Sequence, residues 1–391
     1  MGNASNGPRP LDRRFSVFVF AFLGEMGLNM VFFAVPLYAS ALGASQSFVG
    51  FIGSAYGFSY LFSAMILPRL YRGLNKNALL VTGLLSYSAV VSLYLLLRDP
   101  TLFLFVRLGE GVTLGLFWPL ADTVPSRGAS GQGVLAWYNT GWSVAAFAAP
   151  YLSGVLIETS GLLAPVEIAL TLELMNAVYV FFMIRVPAHL HEQRVSGIPK
   201  IDKRVALFVI LPGLTTAYVA GVILALYPVY LKSLGIGYAA IGVIAGSSGV
   251  ARTVTFASTA LVEKRLGRRE FLVLGSIALA AIALDSFTSQ ALLLLISMLV
   301  VGVGLGLLFH VGLDSAISGG EGTMTKTSMF ESSLGLGLFL GPFLGGVLAL
   351  ASPRLVYVFT AALPLVVAAL GALFWSECRE AANQSDHHFD R

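Results

Sequence analysis

Nineteen consecutive residues, Ala291 to Phe309, carry no charged side chain, and Phe271–Leu284 repeats the pattern over a shorter stretch. Runs of this kind recur along all 391 residues, and only 11% of the chain is charged. A soluble domain carries about 25% charged residues, so this chain cannot face water all round. In lipid every backbone N–H and C=O must be satisfied inside a helix or a closed barrel. Barrel strands alternate in polarity over about ten residues; these runs are continuous. The chain reads as an all-α membrane protein.

A span crossing about 30 Å needs about 20 residues. Turn signals and charges cut the sequence into twelve spans near 14–39, 47–68, 77–97, 101–122, 132–157, 163–186, 205–231, 238–261, 271–288, 291–316, 325–350 and 354–375. Nineteen of the 24 Lys and Arg residues fall on the side of the chain termini. Only Arg98, Lys232 and Arg354 fall in the opposite loops, and Arg107 and Arg252 lie within spans. Cationic loops stay cytosolic, so both termini are expected in the cytoplasm, most simply at the plasma membrane. That asymmetry accounts for the net charge of +4 without a nucleic-acid partner. No cleavable signal is expected before the first span, Asn3-Ala4-Ser5 is expected to be a chance sequon in a cytosolic tail, and the single Cys378 cannot form an intrachain disulfide.

The chain repeats itself at a constant offset of 192 residues. Pro36-Leu-Tyr38 returns as Pro228-Val-Tyr230, and Leu42-Gly43 as Leu234-Gly235. Gly50, Asp122 and Pro150 return as Gly242, Asp314 and Pro342, and Gly154-Val-Leu156 as Gly346-Val-Leu348. One register from the first span to the eleventh implies a parallel duplication, six helices per half. The expected units are an N-terminal bundle (1–187), a cytosolic linker (188–204), a C-terminal bundle (205–378) and a cytosolic tail (379–391).

Three motifs carry a family resemblance. The fourth span holds Arg107-Leu-Gly-Glu110-Gly111-Val-Thr-Leu-Gly115. The eleventh holds Gly337-Leu-Phe-Leu-Gly341-Pro342-Phe-Leu-Gly345-Gly346, and the fifth a degraded copy, Ala149-Pro150-Tyr-Leu-Ser153-Gly154. With these the chain resembles the major facilitator superfamily over essentially its full length, nearest to its drug–proton antiporter branch. The better glycine–proline copy stands in the eleventh span, where the family's antiporters carry it in the fifth. The loop Pro68–Lys76 lacks the acid of the family's Gly-x-x-x-Asp-x-x-Gly-Arg pattern; Glu263–Arg269 comes closer, its acid displaced by one. Small residues four apart permit close helix packing in lipid, so Gly111, Gly115, Pro150, Gly341, Pro342 and Gly345 are read as conformational hinges or plain packing sites.

Ionisable groups inside a bilayer are expensive and mark function. Glu25 lies about 16 Å along the first span, near the midplane, with Asn29 one turn on. The family's fold brings the first and fourth spans to a central cavity, so Glu25 pairs with Arg107, or Arg107 pairs with Glu110 one turn away and Glu25 is left to titrate. In the second half Arg252 and Glu331 both fall about 9 Å from the cytosolic side, which suggests an ion pair, with His310 not far away. The proton-coupling residues are accordingly Glu25, Arg107, Glu110 and Glu331. The substrate-binding set is Asn29, Phe33, Trp118, Asn139, Arg252 and His310.

Asp122 and Asp314 read as solvated groups at helix ends. Glu173 and Asn176 share a face of the sixth span with no role beyond inward packing. His189-x-His191 is a weak metal signal, and no metal or other cofactor is expected. No Gly-Lys dipeptide, hence no P-loop, and no nucleophile constellation is present, so neither ATP drive nor an enzyme is expected. The expected function is alternating-access transport by a monomer, with proton-coupled efflux of a small amphipathic compound. Proton-linked uptake of a sugar or other metabolite and a non-transporting receptor are the alternatives.

Overall fold

A computed structural model describes residues 10–70, 74–122, 124, 131–184, 202–262, 265–317 and 323–373. Residues 188–201 of the linker with the paired histidines, the C-terminal tail with Cys378, and residues 71–73 and 263–264 of the two cationic loops lie outside the described residues. Among the described residues twelve helical rods follow one another: α1 Pro10–Ala41, α2 Gln46–Leu70, α3 Lys76–Leu96, α4 Phe103–Ala121, α5 Gly131–Ser160 and α6 Ala164–Met183. The second half begins with α7, whose main segment Leu211–Ala225 is preceded by Lys203–Ile210 and continues after a break as Tyr227–Ser233. It goes on with α8 Tyr238–Val262, α9 Arg268–Ala280, α10 Ala291–Ile317, α11 Thr323–Ala349, and α12, which is Pro353–Thr360 plus 362–373.

Eleven of these rods are long and apolar enough to cross a membrane. α9 is the exception by length, because its thirteen α-helical residues give way to the 3-10 stretch Ala281–Ser286. At 1.5 Å and 2.0 Å of rise per residue the two parts together reach about 31 Å, which still spans the hydrocarbon. The break in α7 at Leu226 has a local cause: Pro228 supplies no N–H and its ring crowds the carbonyl four residues back.

The 192-residue repeat is present in the backbone as well as in the sequence. Gly43 and Gly235 end α1 and α7 with φ of 93° and 82°, a left-handed conformation that glycine adopts without a Cβ clash. Behind each, the same hydrogen bond closes the helix: Ala44 N–H to Ala39 C=O and Ile236 N–H to Leu231 C=O. This is a Schellman C-cap, built twice. Within the first half α1 packs on α5, α2 on α4 and α3 on α4; in the second α7 packs on α11, α8 on α10 and α9 on α10.

The halves meet where α2 lies against α11 and α8 against α5. A Cβ added at Gly50 would stand 2.6 Å from the Pro342 carbonyl oxygen, and one at Gly242 would collide with the Pro150 carbonyl. The two contacts are repeat equivalents of each other. Both lie toward the end of the bundle opposite the chain termini, called here the far end.

Candidate functional site

Charge buried beside this seam is concentrated in two clusters. In the first, Arg107 on α4 donates to Glu110 one turn on, at 2.7 Å, with 2% and 0% exposure. The pair rides on one helix because residues three apart share a face. Phe32 of α1 covers the guanidinium, its ring centroid 4.8 Å from the central carbon. The Tyr94 hydroxyl lies against the Glu110 carboxylate, and that of Tyr87 lies near the pair. The choice left open by sequence is thereby made: Arg107 pairs with Glu110 and not with Glu25.

Arg107 also borders a cleft between the halves, lined by Phe32, Gly53 and Tyr56 on one side and by Gly221, Leu224, Ala225, Leu338 and Pro342 on the other. Its empty space of ≈ 290 Å³ is narrow, admitting water and not a substrate-sized molecule.

The second cluster crosses the seam. Glu25 on α1 is 6% exposed and lies beside Asn29, whose amide donates to the Glu25 backbone carbonyl at 2.8 Å, and beside the Trp142 indole of α5. Over the other part of that ring stands the Arg252 guanidinium of α8, 4.2 Å from the centroid. Phe309 of α10 stacks on the same tryptophan at 6.3 Å. Arg252 acts electrostatically on Glu25, so one arginine of the second half faces a carboxylate of the first across an aromatic ring.

This corrects the expected Arg252–Glu331 pair. No ion pair joins them among the described residues. Equal depth from helical rise says nothing of azimuth, and Arg252 points from α8 toward α5, onto Trp142. Glu331 instead neighbours Asp122, Tyr60 and Tyr138 at the terminal end of the seam. Asp122 is exposed and accepts from the Tyr138 hydroxyl at 2.9 Å. Asn139 and Thr140, on the same stretch of α5, are exposed too. Asp314 is not merely solvated: Arg268 of α9 reaches it at 2.6 Å.

The other expected residues disperse. Phe33 is 3% exposed and part of the core; its neighbour Phe32 is the one that faces the cleft. Trp118 is half-buried against Phe117, and His310 half-buried against Phe271. Of the hinge set, Pro150 and Pro342 stand on the seam. Gly111 and Gly115 pack α4 on α2 at Ser59 and Ser63, while Gly341 and Gly345 pack α11 on Tyr218 and Leu226 of α7. Glu173 and Asn176 press against Gly27 and Gly24 on α1, behind Glu25.

Two half-bundles joined along a glycine–proline seam, with buried charge beside it, define a polytopic secondary transporter. The family model of the Major Facilitator Superfamily matches residues 17–318, and the chain belongs to that superfamily. No curated protein matches the sequence. Among solved structures it is similar to a point mutant of the nucleoside transporter NupG, at 15% identity and TM-score 0.76, covering 92% of this chain and 99% of that one. A bacterial homolog of the human lysosomal transporter Spinster, captured inward-facing and unoccupied, is similar at 13% identity and TM-score 0.74, covering 94% and 97%. The human organic anion transporter MFSD10 (TETRAN) is similar at 17% identity and TM-score 0.65, covering 93% and 100%. At these identities the likeness is one of fold.

Proposed function

We propose that the protein is a proton-coupled exporter of a small amphipathic compound, working as a monomer in the plasma membrane with both termini in the cytoplasm. The observation that carries this reading is the Glu25–Trp142–Arg252 cluster, the buried charge that bridges the two halves. An ionised Glu25 attracts Arg252 across the seam; a protonated one does not, so proton binding changes how strongly the halves hold together. The Arg107–Glu110 pair, closed on itself, stays a fixed element of α4.

In this reading the state described here is open toward the terminal end. Asp122, at the terminal end of α4, and Asn139 and Thr140, in the first three turns of α5, are exposed there. With the far end sealed at Gly50–Pro342 and Gly242–Pro150, substrate enters between α4, α5, α8 and α11 from the cytoplasm. Trp118, Trp142 and Phe309 offer apolar faces, while Asp122 adds negative charge and Glu331 a further carboxyl group, a lining that favours a cationic amphiphile.

Flux in proteoliposomes under an imposed pH gradient tests this. Cationic dye is expected to accumulate only with the gradient, and Glu25→Gln is expected to flatten the pH dependence while the protein still elutes as a single folded species. Flux that ignores the gradient in the unmodified protein removes proton coupling, and a full pH profile in Glu25→Gln removes Glu25 from it.

A further inference from the structure

Asp285 belongs to neither cluster described above. It lies in the 3-10 end of α9 near the far side, with 0% exposure, and neither carboxylate oxygen has a hydrogen-bond partner. Around it stand Tyr227, just past the break in α7, Tyr357 of α12, and Ser297 of α10. The Tyr227 and Tyr357 rings lie 5.6 Å apart, both residues are fully buried, and both hydroxyls are unpartnered. No ion pair reaches Asp285 among the described residues, and Arg354, exposed, addresses Tyr230 and not the carboxylate.

Three of the neighbouring hydroxyl protons are committed to backbone carbonyls. Tyr230 donates to the Asp285 carbonyl at 2.8 Å, Ser286 to the Arg354 carbonyl at 2.7 Å, and Ser297 to the Ala281 carbonyl at 3.2 Å. The pocket gathers two carboxylate oxygens and the oxygens of Ser297, Tyr227 and Tyr357, and the two free protons there belong to neutral phenols that supply no counter-charge. A helix C-terminus, where α9 ends, adds further negative potential. A buried negative charge without a counter-charge is very costly, so this arrangement calls for a cation. Oxygen-only donors suit a hard cation, and a single carboxylate balances one positive charge and not two. Broken helices are also where transporters hold coupling ions.

We propose that Asp285, Tyr227, Tyr357 and Ser297 form a binding site for a dehydrated monovalent cation, sodium. The site is tied to conformation, because Gln46 at the start of α2, in the other half, lies against Tyr357 with its amide nitrogen buried. Parting the halves at the far end lifts Gln46 away and opens a route to the far-side solvent. None of this depends on Glu25 being the proton-coupling residue.

Thermal unfolding of the purified full-length protein in detergent, followed by tryptophan fluorescence, tests the site. Sodium chloride is titrated against choline chloride at constant ionic strength and pH. A saturable rise in Tm of several degrees is expected with sodium and not with choline. Asp285→Asn is expected to abolish it, Tyr227→Phe to move its midpoint to several-fold higher sodium, and Glu25→Gln to leave it intact. The proposal falls if the unmodified protein shows no sodium-specific rise, if the rise survives Asp285→Asn, or if acidification alone reproduces the stabilisation with no response to sodium. Should Asp285→Asn fail to fold, the sodium response of the unmodified protein and of Tyr227→Phe decides the matter.

Discussion

Arg107 and Glu110 show how strongly one buried side chain depends on another. Both are enclosed, and the Arg107 Nε and one Glu110 oxygen have no partner outside the pair. Removing one member leaves a lone charge in a low dielectric. Glu110→Ala is therefore expected to cost about 3–5 kcal/mol of stability, read as a fall in Tm or in the midpoint of denaturant unfolding in detergent. Replacing both residues with methionine is expected to recover most of that loss, since a well-packed apolar pair avoids the desolvation penalty. If the double variant is no more stable than Glu110→Ala, the pair does more than neutralise itself. This contact could be read from sequence because its members sit one turn apart on one helix. The stacking of Arg252 on Trp142 could not, because those residues lie 110 positions apart on different halves. Asp285 escaped notice for another reason: it stands close to the end of an apolar run, where an acid ordinarily reads as a solvated loop group.

Among the helices, the seam pairs α2–α11 and α5–α8 approach backbone to backbone. The glycines there allow backbone to touch backbone, and van der Waals contact at that range is what holds helices together where lipid offers no hydrophobic drive. A side chain at Gly242 cannot be accommodated by rotating a neighbour, because it meets the backbone carbonyl of Pro150. Gly242→Val is therefore expected to part the far end. A reporter cysteine at Ser47, 5% exposed in the closed state, placed in a chain with Cys378→Ser, is expected to react several-fold faster with a membrane-impermeant thiol reagent. Unchanged labelling in a folded variant would show that the glycine contact is not what keeps that end shut. Helix positions and the duplication were legible because apolar runs and the 192-residue offset are one-dimensional signals. The shortening of α9 into a 3-10 turn was not, because Ala281–Ser286 has nothing in its sequence that forbids an α-helix.

For the molecule as a whole, the two seam contacts are symmetric but the far end carries one bond that is not. Glu158, at the end of α5, accepts from the Ala239 backbone N–H at the start of α8, 3.1 Å away. A carboxylate of one half thus caps a helix of the other, where the N-terminal dipole favours negative charge. Its repeat counterpart is Leu350, which cannot do the same. Opening the far end must break this bond, while opening the terminal end leaves it untouched, so it weights the equilibrium toward the state described here. A hydrogen bond of this kind contributes on the order of 1 kcal/mol, enough to change a two-state ratio about fivefold. Glu158→Leu is expected to raise the far-open population by that factor, seen as a longer-distance component between spin labels at Ser45 and Ile236. Glu158→Gln keeps an acceptor oxygen and loses the charge, so it is expected to fall between the two. A distance distribution identical in all three proteins would mean that the seam glycines alone set the balance.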